Sequence, residues 1–232
     1  MGRLRSFLGF TCFCYLFLAI NTFATDESPA GQNRSTAPTP AKVASSHQKM
    51  LSLLKEIIRR APDEHPYLGD RAARVLKAKL AALPADAPAT TRLYLHRMLA
   101  TKELNLGHER AAILHFTKAD HLLPEVREAL QPGEFNQLIQ SFYFGLGVAY
   151  LRVGETQNCC NRFTPDSCIL PIRGEGIHTK KEASKRAIGY FTEALENSSK
   201  DSPEHLRARW LLNIAYMTVG AHPEGVPEAY RI

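Results

Sequence analysis

Cys159, Cys160 and Cys168, with His178 ten residues further on, are the residues of this chain best suited to chemistry by type and spacing. Thiols pair in an oxidising compartment and stay reduced in a reducing one. Where they pair, the favoured bond is Cys159–Cys168, which closes a short loop around Thr164-Pro165-Asp166. Such a bond removes unfolded-state freedom worth about 2–3 kcal/mol. Cys160–Cys168 is the alternative, and either pairing leaves one thiol over. A metal reading would recruit His178, but the intervals do not match a zinc spacing. Gly174-Glu175-Gly176 lacks the Lys and Ser/Thr of a phosphate loop and sets an acid where an anion would sit, so these glycines read as turn residues. The nine His form no HExxH pair, no Ser stands in GxSxG, and no Cys-x-x-Cys-His haem attachment occurs. The sequence therefore offers no catalytic, cofactor-binding or metal-ligating set, and the chain reads as a non-enzyme.

The compartment is read from the N-terminus. Arg3 and Arg5 precede the apolar run 7–20, and small residues follow at Thr22 and Ala24. A basic start, an apolar centre and a small-residue exit make residues 1–24 a secretory signal peptide, predicted to be cleaved after Ala24. The run of 14 residues is short of the roughly 20 that a membrane-spanning helix needs. The chain is thus expected to be exported, to the periplasm or to the extracellular face of the cell, with no membrane role beyond the signal. Lys and Arg number 29 against 23 Asp and Glu, a net charge of +6 that falls to +4 when Arg3 and Arg5 leave with the signal. So modest an excess argues against a nucleic-acid partner. A hydrophobic fraction of 44% over 232 residues is enough to bury a core and excludes extended disorder.

The elements that must position the thiols are helical. Residues 25–46 hold Val43 as their one bulky apolar residue and read as a disordered linker, leaving 47–232 as a helical domain. Met50, Leu51, Leu53, Leu54, Ile57 and Ile58, then Tyr67, Leu68, Ala72, Val75, Leu76, Leu80 and Leu83, recur at helical spacing. Pro62 and Pro84 end the two runs, which predicts an antiparallel helical pair over 47–84. No run alternates with period two for long enough to form a strand. The fold class is all-α.

A more specific pattern follows over 90–124. Gly107, Ala112, Phe116, Ala119 and Pro124 are separated by steps of five, four, three and five. These steps resemble the tetratricopeptide repeat, a helix-turn-helix unit. Gly107 permits the tight turn, Ala112 and Ala119 let the first helix approach, Phe116 fills the gap to the next unit, and Pro124 ends the helix. A second unit spans 135–199. Phe135, Leu138, Ile139, Phe142, Leu146, Gly147, Tyr150 and Gly154 mark its first helix, while Ala187, Phe191 and Ala194 repeat the steps of four and three. Between them lies the insertion 155–179 that carries the thiols. Thr179 with Glu182 resembles a capping box that restarts the helix near Lys180. A third first-helix occupies 204–220, where Tyr216 and Gly220 match Tyr150 and Gly154, and its second helix is lacking. The expected architecture is a tetratricopeptide-like α-α hairpin solenoid with a loop insertion in the second repeat.

The stretch GLGVAYLRVGETQNC, the block SCILPIRGEGIHTKKEASKRAIGYFTEALE, and ARWLLNIAYMTVG with GVPEAYRI together resemble the N-terminal helical region of exported bacterial proteins of the FG-GAP/ASPIC–UnbV family. The resemblance covers roughly 90–232 and includes the Cys159 and Cys168 spacing, Pro171-Ile172 and the Trp210–Met217 block. It implies tetratricopeptide-type helices ahead of an FG-GAP β-propeller and a C-terminal ASPIC/UnbV domain. That pattern places propeller sequence after Val226-Pro227-Glu228. Cys160 stands as an extra thiol beside the family's usual pair. The resemblance supplies no catalytic residues for this region.

Function then rests on the face formed by the first helices, where a solenoid holds a protein or peptide in a concave groove. Repeat placement assigns Tyr94, Arg97, Thr101, Phe144, Val148, Arg207, Trp210 and Ile214 to that groove. Phe144, Val148 and Ile214 weigh slightly toward packing between repeats, whereas Arg97 and Trp210 are of the types that dominate interface energetics. The expectation is a protein-binding scaffold without a cofactor, whose partner is a protein or peptide and, by the resemblance, an FG-GAP propeller domain. The alternative is a cell-surface accessory module for glycan or small-ligand handling.

Overall fold

The computed structural model describes residues 40–62, 65 and 68–232. The predicted signal peptide and residues 25–39 of the predicted linker lie outside the described residues. The helices are α1 (Pro40–Arg60), α2 (Arg71–Ala81), α3 (Ala89–Asn105), α4 (Glu109–Asp120), α5 (Leu123–Ala129), α6 (Pro132–Glu155), α7 (Glu182–Glu196) and α8 (Pro203–Val219). A wide π-type turn follows α6 at Thr156–Cys160, and short 3-10 turns lie at Gly174–Gly176 and Glu228–Tyr230. No strand occurs among the described residues, and the fold is all-α.

Two compact units divide the chain, Met1–Leu51 and Ser52–Ile232. The described part of the first is the leading stretch of α1, on which Met50 and Leu51 are exposed. Helix α1 starts at Pro40, ahead of the predicted start at His47. Residues 40–46 are therefore helical rather than disordered: Pro suits a first helical turn, where no N–H partner is needed, and Ala41 and Ala44 propagate it.

Within the second unit, the expected apolar seam of the pair over 47–84 does not form. Leu53, Leu54, Ile57 and Ile58 keep their helical spacing but remain about half exposed. The link described here is polar: Arg71 Nη1 donates to the carbonyls of Ile58 and Ala61 at 3.0 and 2.9 Å. Helix α2 packs instead against α3. Glu103 on α3, 2% exposed, takes Lys77 Nζ of α2 at 2.6 Å and His108 Nδ1 at 2.7 Å. Burial opposes its charge, yet the hydrogen bonds from Lys77 and His108 hold its carboxyl below the usual range.

From α3 onward each helix packs on its predecessor or spans one short element: α3 on α4, α4 on α6, α6 on α7, and α7 on α8, with α5 wedged between α3 and α6. Ala112, Ala119, Ala187 and Ala194 are fully buried, as the spacing requires, and so are Phe116 and Phe191. Gly107 turns the chain between α3 and α4 at φ +79°, a conformation that a side chain disfavours. Pro124 differs from expectation. Helix α4 ends at Asp120, and Pro124 sits in the first turn of α5, so it starts a helix here.

Helix α6 is shared by two apolar clusters. One gathers Leu93, Phe116, Val126, Phe142 and Leu146, and the other Leu151, Phe191, Ala208 and Leu212. Two glycines make the sharing possible. A Cβ placed on Gly145 would stand 2.6 Å from Phe116 Cζ, and one on Gly147 would stand 2.6 Å from the Phe191 ring. The two phenylalanines thus enter a notch in α6, one from α4 and one from α7. Phe116 meets Phe142 edge-on at 5.6 Å, and Tyr143 and Tyr150 of α6 stack on Tyr190 of α7 at 6.0 and 5.4 Å.

Helix α6 begins with a capping box between Gln131 and Glu134, and α8 with Ser202, whose Oγ accepts the His205 N–H at 3.1 Å. After Gly220 the tail folds back on α8. Asn213 Nδ2 donates to the Tyr230 carbonyl at 2.8 Å, Asn213 Oδ1 accepts the Ile232 N–H at 3.2 Å, and Val226 is buried.

The notch yields a paired prediction. Gly147→Ala should cost about 1–3 kcal/mol by overpacking the Phe191 ring. Gly189→Ala on α7, whose added Cβ meets open space, should add about 0.5–1 kcal/mol through helix propensity. Urea unfolding of both variants checks the sign difference.

Candidate functional site

The residues assigned to the groove fall on α3 (Tyr94, Arg97, Thr101), α6 (Phe144, Val148) and α8 (Arg207, Trp210, Ile214). Helix α6 contacts both α3 and α8. The structure brings Arg207 and Phe144 together, the guanidinium lying 5.7 Å above the ring centroid, an attraction between a cation and the π-face. Arg207 also holds Glu204 at 2.9 Å within its own helix. Arg97 reaches across from α3 to α6, where its Nη1 donates to Ser141 Oγ at 3.4 Å, and Thr101 Oγ1 donates back to the Arg97 carbonyl at 3.0 Å. Phe144, Val148 and Ile214 are half-buried against the second apolar cluster. Tyr94 and Trp210 are 52% and 49% exposed.

The insertion forms a second constellation, which joins His178 to Cys159 and adds Asn158 and Ser184, residues that sequence spacing did not single out. Its base is tied by Asn158 on the π-turn. Asn158 Oδ1 accepts the backbone N–H groups of Thr179 and Lys180, both at 2.9 Å, and the Thr179 hydroxyl at 3.3 Å. Asn158 Nδ2 donates to the carbonyls of Gly154 and Lys180 at 2.8 and 3.1 Å. Thr179 is therefore not the cap of α7, which starts at Glu182 after an uncapped Lys181. A buried amide took the groups that the capping-box pattern assigned to the helix. Gly154 differs from its counterpart Gly220 as well. It lies inside α6, where a Cβ would stand 2.9 Å from Ser184 Oγ and 3.3 Å from the His178 ring.

His178, 1% exposed, is the centre of this constellation. Its Nε2 lies 3.4 Å from Cys159 Sγ and its Nδ1 2.9 Å from Ser184 Oγ. Its backbone N–H donates to the Thr218 carbonyl at the end of α8 at 2.8 Å. Lys181 Nζ adds a bond to the Val219 carbonyl at 2.8 Å, so the insertion is fastened to α6, α7 and α8 together. Cys159 is half-buried, and Cys160 and Cys168 are exposed. The Cys168 side chain is one of the groups that act on the Cys159 thiol. Burial pushes the Cys159 thiol up, Glu155 and Cys160 add to this, and the Cys168 side chain opposes it. Burial alone lowers His178. A thiol against an imidazole is a nucleophile beside a base, and here both rest in their neutral forms.

Two further features are polar. His96 and His115 join α3 to α4 with their Nδ1 atoms 3.0 Å apart, and both are lowered, first by burial. A shallow cleft of about 240 Å³ between the start of α4 and the end of α6 is lined by His108, Glu109, Arg110, Val153, Thr156 and Gln157. No group of three or more His, Cys, Asp or Glu among the described residues is arranged to hold a metal. No family model, curated protein or solved structure matches the chain.

Asn158→Ala should cost about 1–2 kcal/mol, because it removes the acceptor of the part-buried Thr179 and Lys180 N–H groups and the donor to the Gly154 carbonyl, as read by urea unfolding. His96, His115 and His178 set a pH dependence. Each binds a proton less readily when folded than in the unfolded chain, where the pKa is about 6.5. Their stabilisation is thus complete above that value and is lost as pH falls through the lowered folded values. Thermal midpoints should drop on acidification below about pH 6.5, and His178→Gln with His96→Gln should flatten that slope.

Proposed function

We propose that the chain is an exported, tetratricopeptide-like scaffold that binds a protein partner, and that it corresponds to the N-terminal region of an FG-GAP/ASPIC–UnbV-type protein. The observation that carries this reading is the succession α3, α6 and α8. Each first-helix touches the next, and together they present Tyr94 and Trp210 half-exposed beside Arg97 and Arg207. Such a combination of aromatic and guanidinium groups is the usual source of binding energy at a protein interface. The buried Ala-Phe-Ala sets on α4 and α7 support the repeat reading, since each lets a hairpin close tightly. Export is supported by the N-terminal sequence. Within the resemblance, the partner is an FG-GAP propeller domain.

Trp210 is the single tryptophan of the chain, so its emission reports on this face alone. Titration with a purified FG-GAP propeller domain should shift that emission to the blue saturably as the half-exposed indole is covered. Calorimetry should then show Trp210→Ala and Arg97→Ala each weakening binding by more than about 1 kcal/mol. Unchanged emission, or full affinity in both variants, would count against the scaffold reading. The alternative, small-ligand or glycan handling, rests on the cleft at Glu109 and Gln157. It predicts heat on titration with saccharides that the Trp210 variant leaves intact.

A further inference from the structure

Helix α1 leaves a whole apolar stripe in solvent. Met50, Leu51, Leu53, Leu54, Ile57 and Ile58 are each 41–61% exposed. At about 100° per residue they share one side of the helix, over an arc of about 160°. By the same geometry Lys49 and Arg60 border one margin of the arc and Lys55 the other, and all three are exposed. Over Pro40–Arg60 the helix holds five basic residues and one acid, Glu56. That acid is already engaged. It accepts from Arg59 Nε and Nη2 at 2.8 and 2.7 Å and from Arg60 Nε at 2.5 Å, bonds that brace the last turn. The tie from Arg71 Nη1 runs to the carbonyls of Ile58 and Ala61, and it leaves the stripe uncovered.

We propose that α1 lies along the surface of a bilayer bearing anionic phospholipid, with the stripe among the acyl chains and the cations among the headgroup phosphates. This extends the membrane role beyond the export signal to which the sequence alone confined it. No helix among the described residues is long and apolar enough to cross a membrane, so α1 lies in the interface plane. A helix in that plane meets headgroups along both margins of its apolar face. Lys49, Lys55 and Arg60 stand on those margins, and their long stems carry the charge up to the phosphates.

Charge and side-chain type select this occupant over two others. A second copy of α1 would set basic margins against basic margins, with no acid at either margin to pair them. A protein groove is met by a helix through aromatic or Arg anchors that fill pockets. The stripe is instead uniformly aliphatic, and it is wider than the seam of two positions per heptad that one partner helix covers. A fluid acyl layer takes up such side chains without demanding a matching shape. Apolar burial and surface charge then act together, and removal of either weakens the association.

The test uses the chain from Thr25, the form that the predicted cleavage leaves, which keeps every described residue. It is floated with vesicles of phosphatidylcholine alone, or of equal parts phosphatidylcholine and phosphatidylglycerol, at low and at raised salt. Partition onto the anionic vesicles should exceed that onto the neutral ones by about tenfold or more and should fall as salt rises. Leu53→Gln with Ile57→Gln should lower it by about tenfold or more. Lys49→Gln with Lys55→Gln should lower it by about tenfold on the anionic vesicles alone. All four positions are exposed and Gln is a good helix former, so both double variants keep the fold. Equal partition onto the two vesicle types, or full binding in either double variant, would overturn the proposal. So would a lipid-free dimer in sedimentation velocity that Leu53→Gln with Ile57→Gln abolishes, which would assign the stripe to a second copy. Absence of binding to both vesicle types would overturn it as well and would leave an acidic protein as the occupant.

Discussion

The packing of this chain depends on the absence of two side chains. Gly145 and Gly147 leave α6 thin on two sides, and Phe116 from α4 and Phe191 from α7 occupy the space. A ring pressed close to a helix backbone gains dispersion contacts that a side-chain layer would otherwise claim. With both rings seated, α6 belongs to two hairpins at once, and the apolar clusters on either side are joined through Tyr143 and Tyr150. The fully buried alanines of α4 and α7 follow from the same constraint, since helices held so close admit only a methyl group between them.

The insertion is fastened by polar groups where the helices are fastened by apolar ones. Asn158 has both ends of its amide engaged, gathering the end of α6 and the approach to α7. His178 and Lys181 add bonds to the last carbonyls of α8. A buried network of this kind is stabilising only when each member is paired, and its geometry is correspondingly fixed. That fixed geometry sets the Cys159 thiol against the His178 imidazole, and it makes the loop part of the fold rather than an appendage.

The two levels were unequally legible in the sequence. Local periodicity carries the helices and the Ala-Phe-Ala spacing, because burial along one helix repeats at short intervals. Gly107 was likewise readable, since a positive φ is a property of one residue. What escaped depends on neighbours distant in sequence. Thr179 and Glu182 satisfy a capping pattern, yet Asn158, twenty-one residues earlier, holds the Thr179 groups. The stripe of α1 has the spacing of a buried face and is exposed. His178 could be set beside the cysteines only as a metal ligand of unfamiliar spacing, whereas its contacts are with Cys159 and Ser184, nineteen and six residues away, a separation that no motif encodes.

Amide hydrogen exchange resolved by residue addresses the shared role of α6 most directly. If Phe116 and Phe191 lock both hairpins to one helix, amides of α4, the centre of α6 and α7 should exchange with a common free energy equal to that of global unfolding. Exchange of α7 and α8 at a markedly lower free energy than α3 and α4, with α6 dividing between them, would contradict it.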